Sequence, residues 1–292
     1  MADYRRGFDK TGRSNWKRHY ESVVVSASEA VSRIRPGQRV FIGTGCGQPA
    51  ALVEALLGRA GELEDIEIVH LLMLGEPPYR HKELSKHFHV NSFFISDNVD
   101  GTEERLGKYT PIFLSDIPRL FDSGQLPIDV ALIQVTEPNE NGMCSLGVSV
   151  DITKSAAENA ALVIAQVNRR MPWTMGDSML SAYDIDVLVP AETAILEATL
   201  PEPTDVSRQI AEYVAALIPD GSTVELGTRR VPLAVLEFLK DKRDLGIHTE
   251  VLSDGVIDLV ESGVVTGVRK NIEQGKVVKL FGFMGLKRTE LL

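Results

Sequence analysis

The chain of 292 residues is 43% hydrophobic and 25% charged, which is enough apolar material for one large core or two medium ones and too much for a disordered chain. It has no apolar run of the roughly 18 residues that a membrane span needs, and its opening, MADYRRGFDKTGRSNWKRHYESV, is polar and charged where a secretory signal would be apolar. A cytoplasmic protein with no membrane span is therefore expected. A net charge of −10 and a pI near 5.2 argue against nucleic acid as a partner, while leaving room for a local basic pocket.

Cys46 and Cys144 lie in apolar or glycine-rich stretches. Two cysteines so placed cannot form a disulfide framework, which fits a reducing compartment and structural thiols. His81, His87 and His89 share no metal-site spacing with a cysteine or carboxylate cluster, so no metal is expected.

In chain order, strand-length apolar runs alternate with amphipathic segments, the pattern of parallel sheets covered by helices on both faces. A capping box is read at Ser26 with Glu29, ahead of Ala30, Val31 and Ile34. Strands are predicted at Arg39 to Ile42, Ile66 to Leu72, Ser92 to Ser96, Val130 to Val135 and Leu162 to Val167, with Phe93 to Ile95 as core strand. A helix opens at Asp151 to Thr153 and runs through KSAAENAA. Asn168, Met171, Pro172, Trp173 and Gly176 read as a positioned loop. Gly43 to Pro49 is a glycine-rich strand-to-helix turn, which either flanks a ligand or only makes the turn.

The segment TLPEPT, Thr199 to Thr204, marks a domain boundary, giving domains 1–204 and 205–292. Beyond it come a helix from Asp205 to Leu217, a strand from Thr223 to Leu226, a glycine turn, a helix near Pro232 and a further short strand. This is a restart of the beginning. Gly37, Val40, Gly43 and Thr44 recur as Gly221, Val224, Gly227 and Thr228. After a one-residue slip Pro49 falls on Pro232, and Asp65-Ile-Glu-Ile answers Asp244-Leu-Gly-Ile. Two domains of one fold are expected.

Ligands of open parallel sheets bind beyond the carboxyl ends of strands. Two segments of the second half are expected there: the turn Gly227-Thr228-Arg229-Arg230-Val231-Pro232, whose amides and following helix can hold an anion or oxyanion, and GIHTEVLSDG, which carries Glu250 at the end of the adjacent strand. The aligned position in the first half is Leu71. On this local pattern Glu250 is either an ordinary loop carboxylate or a nucleophile, base or metal ligand.

The stretches GIHTEVLSDGVIDLVESGVVTG, GTRRVPLAVLEFLKDKRDL and GMCSLGVSVDITKSAAENAALVIAQVNRRMPWTMGDS resemble the acetyl-CoA hydrolase/CoA-transferase family, of the acetate, butyrate or 4-hydroxybutyrate type. The resemblance implies two α/β domains of the CoA-transferase fold and acyl transfer between coenzyme A and short-chain carboxylates, or thioester hydrolysis. It implies that Glu250 is the nucleophile, passing through acyl-glutamyl anhydride and glutamyl-CoA thioester states. Gly227, Thr228, Arg229, Arg230 and Val231 would cradle coenzyme A. CoA and acyl-CoA enter as substrates, with no permanently bound cofactor.

Two departures stand out. The family loop reads Gly-Ile-Gly-x-x-Pro, and Arg229 replaces its second glycine, at a place where glycine would permit unusual backbone angles. Arg229 and Arg230 either bind CoA phosphates or obstruct the site, and the bulk of arginine favours obstruction or an altered substrate. The family also continues past the ending FGFMGLKRTELL. A homo-oligomer, or completion of the second domain by a further polypeptide segment, is therefore expected. A non-catalytic CoA-binding or assembly subunit is the alternative, with a sugar-phosphate isomerase or ligand sensor third.

Overall fold

The computed structural model describes residues 16–74, 83–94, 107–198 and 200–283. His81, Ile95, Ser96, Thr199 and the ending beyond Phe283 lie outside them. The chain divides into two compact units, Met1–Leu196 and Glu197–Leu292.

The first unit opens with helices α1 (Trp16–Val23) and α2 (Ala27–Val31) and strand β1 (Arg39–Ile42). Next come α3 (Ala50–Gly58), β2 (Ile66–His70), β3 (Phe88–Ser92), β4 (Gly107–Tyr109), α4 (Ile117–Asp122) and β5 (Val130–Val135). The unit ends with β6 (Met143–Ser145), α5 (Thr153–Asn159), β7 (Leu162–Val167), β8 (Met179–Ser181) and β9 (Val187–Pro190). Seven of these strands form one sheet in the order β4-β3-β2-β1-β5-β7-β9. Every pairing in it is parallel. β6 and β8 form a separate antiparallel pair.

Strands buried on both faces read as unbroken apolar runs, and β5 and β7 (VALIQV, LVIAQV) do so. Alternate side chains feed two cores. Val40, Ile42, Ile66, Ile68, Val130 and Leu132 pack on one face with residues of α2 and α3. Phe41, Val69, Ala131, Ile133, Val163 and Ala165 pack on the other with Ile117, Phe121 and Ala156 of α4 and α5. The predicted two-faced covering is what these cores show. Ser26 caps α2 by accepting from Glu29 N at 3.2 Å.

One predicted strand is misplaced. The third runs over Phe88–Ser92, upstream of Ser92 to Ser96, because it pairs with β2 from Ile66↔Phe88 to His70↔Ser92. Phe93 is buried just past its end, but Phe94 is 49% exposed, so the aromatic run is not core strand. β2 stops at His70, two residues short of the expected Leu72.

The second unit holds α6 (Asp205–Ala216), β10 (Thr223–Val224), α7 (Arg230–Glu237), β11 (Gly246–Ser253), α8 (Asp254–Glu261) and β12 (Val278–Phe283). β11 lies between β10 and β12, parallel to both. Thr204 and Ser207 close a capping box at the start of α6.

The restart seen in the sequence is a repeated backbone geometry. Gly37 and Gly221 both have φ +79°, and Asp65 and Asp244 have φ +55° and +54°, left-handed values that are unusual for aspartate. Gly37 N donates to Glu64 O at 3.0 Å and Gly221 N to Arg243 O at 2.9 Å. Glu67 N donates to Gln38 O at 3.1 Å and Gly246 N to Ser222 O at 2.9 Å. The registers Arg39↔Glu67 and Val40↔Ile68 return as Thr223↔Gly246 and Val224↔Ile247. Chance similarity of two strand-helix units would not reproduce individual hydrogen bonds and left-handed residues at the same offsets.

His70, at the end of β2, is 3% exposed, and burial pushes its imidazole pKa down from 6.5 to about 4. Between those values the unfolded chain binds a proton that the native state refuses, so stability falls as pH drops from 6.5 towards 4. The loss should total about 3 kcal/mol at roughly 1.4 kcal/mol per pH unit. Thermal melts across this range should show a shallower pH dependence for His70→Gln; an unchanged slope would refute the assignment.

Candidate functional site

Glu250 is the fifth of the eight residues of β11, so the expectation that it ends its strand is corrected. The cause is β12, which carries the ladder on through Val251↔Phe281 to Ser253↔Phe283. Relative to β10, however, Glu250 lies beyond the paired segment, whose last pair is Val224↔Ile247. The predicted strand Thr223 to Leu226 is accordingly cut to Thr223–Val224.

Strand side chains alternate between faces. His248 and Glu250 are exposed, whereas Thr249 is 4% exposed on the opposite face. The Thr249 hydroxyl replaces the missing ladder: its Oγ1 accepts from Leu226 N at 3.1 Å and can donate to Leu226 O at 2.9 Å or Val251 O at 3.2 Å. Leu226, 5% exposed, thus has its main chain satisfied by a side chain.

Gly227 follows immediately. A Cβ there would meet Pro232 Cγ at 3.5 Å, an ordinary contact. The turn runs into α7, with Arg229 as N-cap at φ −85° and ψ 169°. This is extended backbone open to any residue, so the expected conformational demand for glycine at position 229 does not arise, and only bulk and charge distinguish arginine there. Both Arg229 and Arg230 are exposed. Arg230 Nε donates to Glu202 O at 3.1 Å, which ties that guanidinium to the segment before α6. The first i→i−4 bond of α7 joins Leu233 N to Arg229 O, so the amides of Arg230 and Val231 precede it and point out of the helix N-terminus.

The rest of the acidic motif is packing. Ser253 stands at the N-cap position of α8 without a side-chain capping bond, and a Cβ on Gly255 would come within 2.8 Å of Leu236 Cδ1, so glycine lets α8 lie against α7. Leu71, the first-unit equivalent of Glu250, is 6% exposed among apolar neighbours. One backbone position thus carries a buried hydrophobe in one repeat and an exposed acid in the other.

In the first unit, the glycine turn Gly43 to Pro49 is buried and rigidly held. Asp151, at φ +25°, accepts from Thr44 Oγ1 at 2.9 Å, Ser149 Oγ at 2.7 Å, Ile152 N at 2.6 Å and both N and Oγ1 of Thr153 at 3.2 Å. Burial pushes its pKa up, while these hydrogen bonds pull it down. A Cβ on Gly47 would meet Ser149 Cβ at 2.6 Å. A second polar chain lies alongside: Gln134 donates to Gln48 O, Gln166 to Gln134, and Gln166 Oε1 accepts from Ala51 N at the start of α3. Asn168 donates to Gln134 Oε1 at 2.8 Å and Thr193 O at 2.9 Å, which positions the loop after β7 as expected.

Sequence reasoning did not find a cleft of about 220 Å³ lined by Tyr20, Glu137, Val167, Arg169, Pro190 and Glu192. It lies at the carboxyl ends of β5, β7 and β9, and Arg169 pairs with Glu137 at 2.8 Å. Burial and then the charge of Glu137 push the Tyr20 pKa up. Its residues come from four separate segments, so no local pattern announces it.

Both cysteines are buried, and burial lifts the Cys144 thiol to about 12. His87 Nδ1 lies 2.8 Å from Leu63 O, and His89 pairs with Asp65 at 3.3 Å. Among the described residues, no His, Cys, Asp and Glu group could hold a metal, and no helix is long and apolar enough to cross a membrane.

A large parallel α/β sheet whose opening is repeated in a second unit is the architecture of the CoA-transferase fold. The model of the acetyl-CoA hydrolase/transferase N-terminal domain matches residues 8–198, and the chain belongs to this family. It is 43% identical over 274 residues to 4-hydroxybutyrate coenzyme A transferase of Clostridium kluyveri, a match covering 94% of this chain and 64% of that protein. Among solved structures it resembles 4-hydroxybutyrate CoA-transferase of Porphyromonas gingivalis, with TM-score 0.82, 34% identity and coverage of 93% of this chain and 65% of that one. RipA of Yersinia pestis aligns with TM-score 0.89 at 28% identity, covering 94% and 67%. The chain spans less than two thirds of the length of the curated relatives it matches.

Asp151→Ala would leave three hydroxyls and two amides without their shared acceptor, at a cost of about 3 kcal/mol. A melting temperature lower by several degrees is expected; an unchanged melt would show that the carboxylate does not hold the glycine turn.

Proposed function

We propose that the chain carries the chemistry of a short-chain acyl-CoA:carboxylate CoA-transferase, with Glu250 as nucleophile and the turn Gly227, Thr228, Arg229, Arg230 and Val231 against coenzyme A. The observation that carries this reading is the exposed Glu250 carboxylate on β11, one residue from the Thr249 hydroxyl that holds Leu226, the residue preceding the turn. Family membership and relatives named for CoA transfer support it.

In this reading a Glu250 oxygen attacks the thioester carbonyl and expels CoA thiolate, leaving an acyl-glutamyl anhydride. The thiolate attacks the glutamyl carbonyl, releasing the first carboxylate and forming glutamyl-CoA thioester. An acceptor carboxylate then attacks that carbonyl, giving a new anhydride and thiolate. Attack of the thiolate on the acyl carbonyl forms the product thioester and frees Glu250. Each addition creates an oxyanion, and the amides of Arg230 and Val231 at the start of α7 are suited to receive it, at about 3 kcal/mol per donor. Water attacking the anhydride gives acyl-CoA hydrolysis instead.

The proposal extends to a cytoplasmic setting, on the buried thiols, to acyl-CoA and carboxylate as substrates rather than resident cofactors, and to a functional division at Thr204 and Asp205. It also includes a homo-oligomer or a further polypeptide segment, because no described strand flanks the outer edge of β10 and an open edge invites pairing. Arg229 supports a second reading, a CoA-binding or assembly subunit without turnover, since it places an exposed arginine at the N-cap of α7.

Incubation with acetyl-CoA followed by hydroxylamine should modify Glu250, and Glu250→Ala should lower thioester exchange by about 10⁴-fold or more. A folded wild-type chain that stays unmodified would overturn the catalytic reading. Calorimetric CoA binding without exchange would establish the second.

A further inference from the structure

We propose that Thr249 is the positioning residue of this site, its hydroxyl setting the spacing between the acid and the turn. The inference rests on Glu250 being the nucleophile.

The main-chain ladder between β10 and β11 has only two pairs, Thr223↔Gly246 and Val224↔Ile247. In the first unit the equivalent ladder has a third, Phe41↔Val69, and the residue equivalent to Thr249 is His70. The second unit therefore parts its strands one residue earlier, and a single hydroxyl spans the opening. Thr249 Oγ1 contacts both the amide and the carbonyl of Leu226, at 3.1 and 2.9 Å, and lies 3.2 Å from Val251 O.

Leu226 immediately precedes Gly227, and Thr249 and Val251 flank Glu250. One buried oxygen thus joins the residue that launches the turn to both neighbours of the acid. Because pleating sends Thr249 to the buried face, the acid on the other face keeps its access while its backbone is fixed from behind. Serine at 249 keeps the bridge. Valine matches the shape of threonine but cannot accept from Leu226 N or donate to its carbonyl.

The test uses the full chain as wild type, Thr249→Val and Thr249→Ser, with melting temperatures to establish that all three fold. Amide exchange at Leu226 should rise about tenfold in the valine variant and return to the wild-type rate with serine. Acylation of Glu250 by acetyl-CoA, trapped with hydroxylamine, should slow by about 10- to 100-fold in the valine variant with little change in the apparent KM, and serine should restore it. Wild-type acylation by the valine variant, or a loss that serine fails to restore, overturns the proposal. If wild type itself is never acylated, the nucleophile reading falls separately. Leu226 exchange alone then decides whether the hydroxyl holds the turn, and an unchanged rate in the valine variant refutes it.

Discussion

The second unit depends on the pleat of one strand. β11 is paired with β10 at its start and with β12 beyond it, so its register is fixed, and alternation commits Thr249 to the buried face and Glu250 to the exposed one. A slip of one residue would bury the acid and expose the hydroxyl. Everything that could make Glu250 reactive follows from that fixed register: its access, the attachment of its backbone to Leu226, and the start of α7 from the turn that Leu226 launches.

The repeat shows how an acid could be accommodated here. In the first unit the position of Glu250 is held by Leu71, inside a core shared with α4 and α5. In the second unit that face of β11 is exposed at His248 and Glu250, so a carboxylate there avoids the burial that would penalise it at position 71. The backbone turns, the left-handed aspartates and the glycine before the strand are the same in both copies. What differs is the covering of one face, and the difference in residue type tracks it.

Much of the first unit was legible because buried parallel strands spell themselves out: Val130–Val135 and Leu162–Val167 coincide with uninterrupted apolar runs. β3 was not, since FHVNS mixes polar and apolar residues and is defined by its pairing with β2 rather than by composition. β12 and the length of β11 were missed for the same reason: partners far along the chain determine them. Within the candidate site, local motif and repeat singled out Glu250 and the turn but left the acid open between an ordinary loop carboxylate and a reactive group, and the family resemblance supplied its expected role. The role of Thr249 could not be read, because a threonine in a strand announces nothing until the residue across from it is known. Gly255 likewise reads as part of a functional motif, although the space it leaves is filled by Leu236.

The repeat also sorts the amides of the turn. In the first unit Gly43 N donates to Leu132 O of β5 at 2.9 Å, and Asp129 N donates to Arg39 O at 3.1 Å, so odd-numbered residues of β1 face β5. Their equivalents Thr223 and Gly227 face the outer edge of β10, while Ser222 and Leu226 face β11, as their bonds to Gly246 and Thr249 require. A strand laid along that outer edge in the manner of β5 would consume the Gly227 amide. The amides of Arg230 and Val231 would stay clear of such a strand, ahead of the first helical bond of α7, where the helix dipole reinforces them towards an anion. Arginine in place of glycine at 229 is compatible with this arrangement, because its extended backbone leaves the direction of those two amides to the helix that follows.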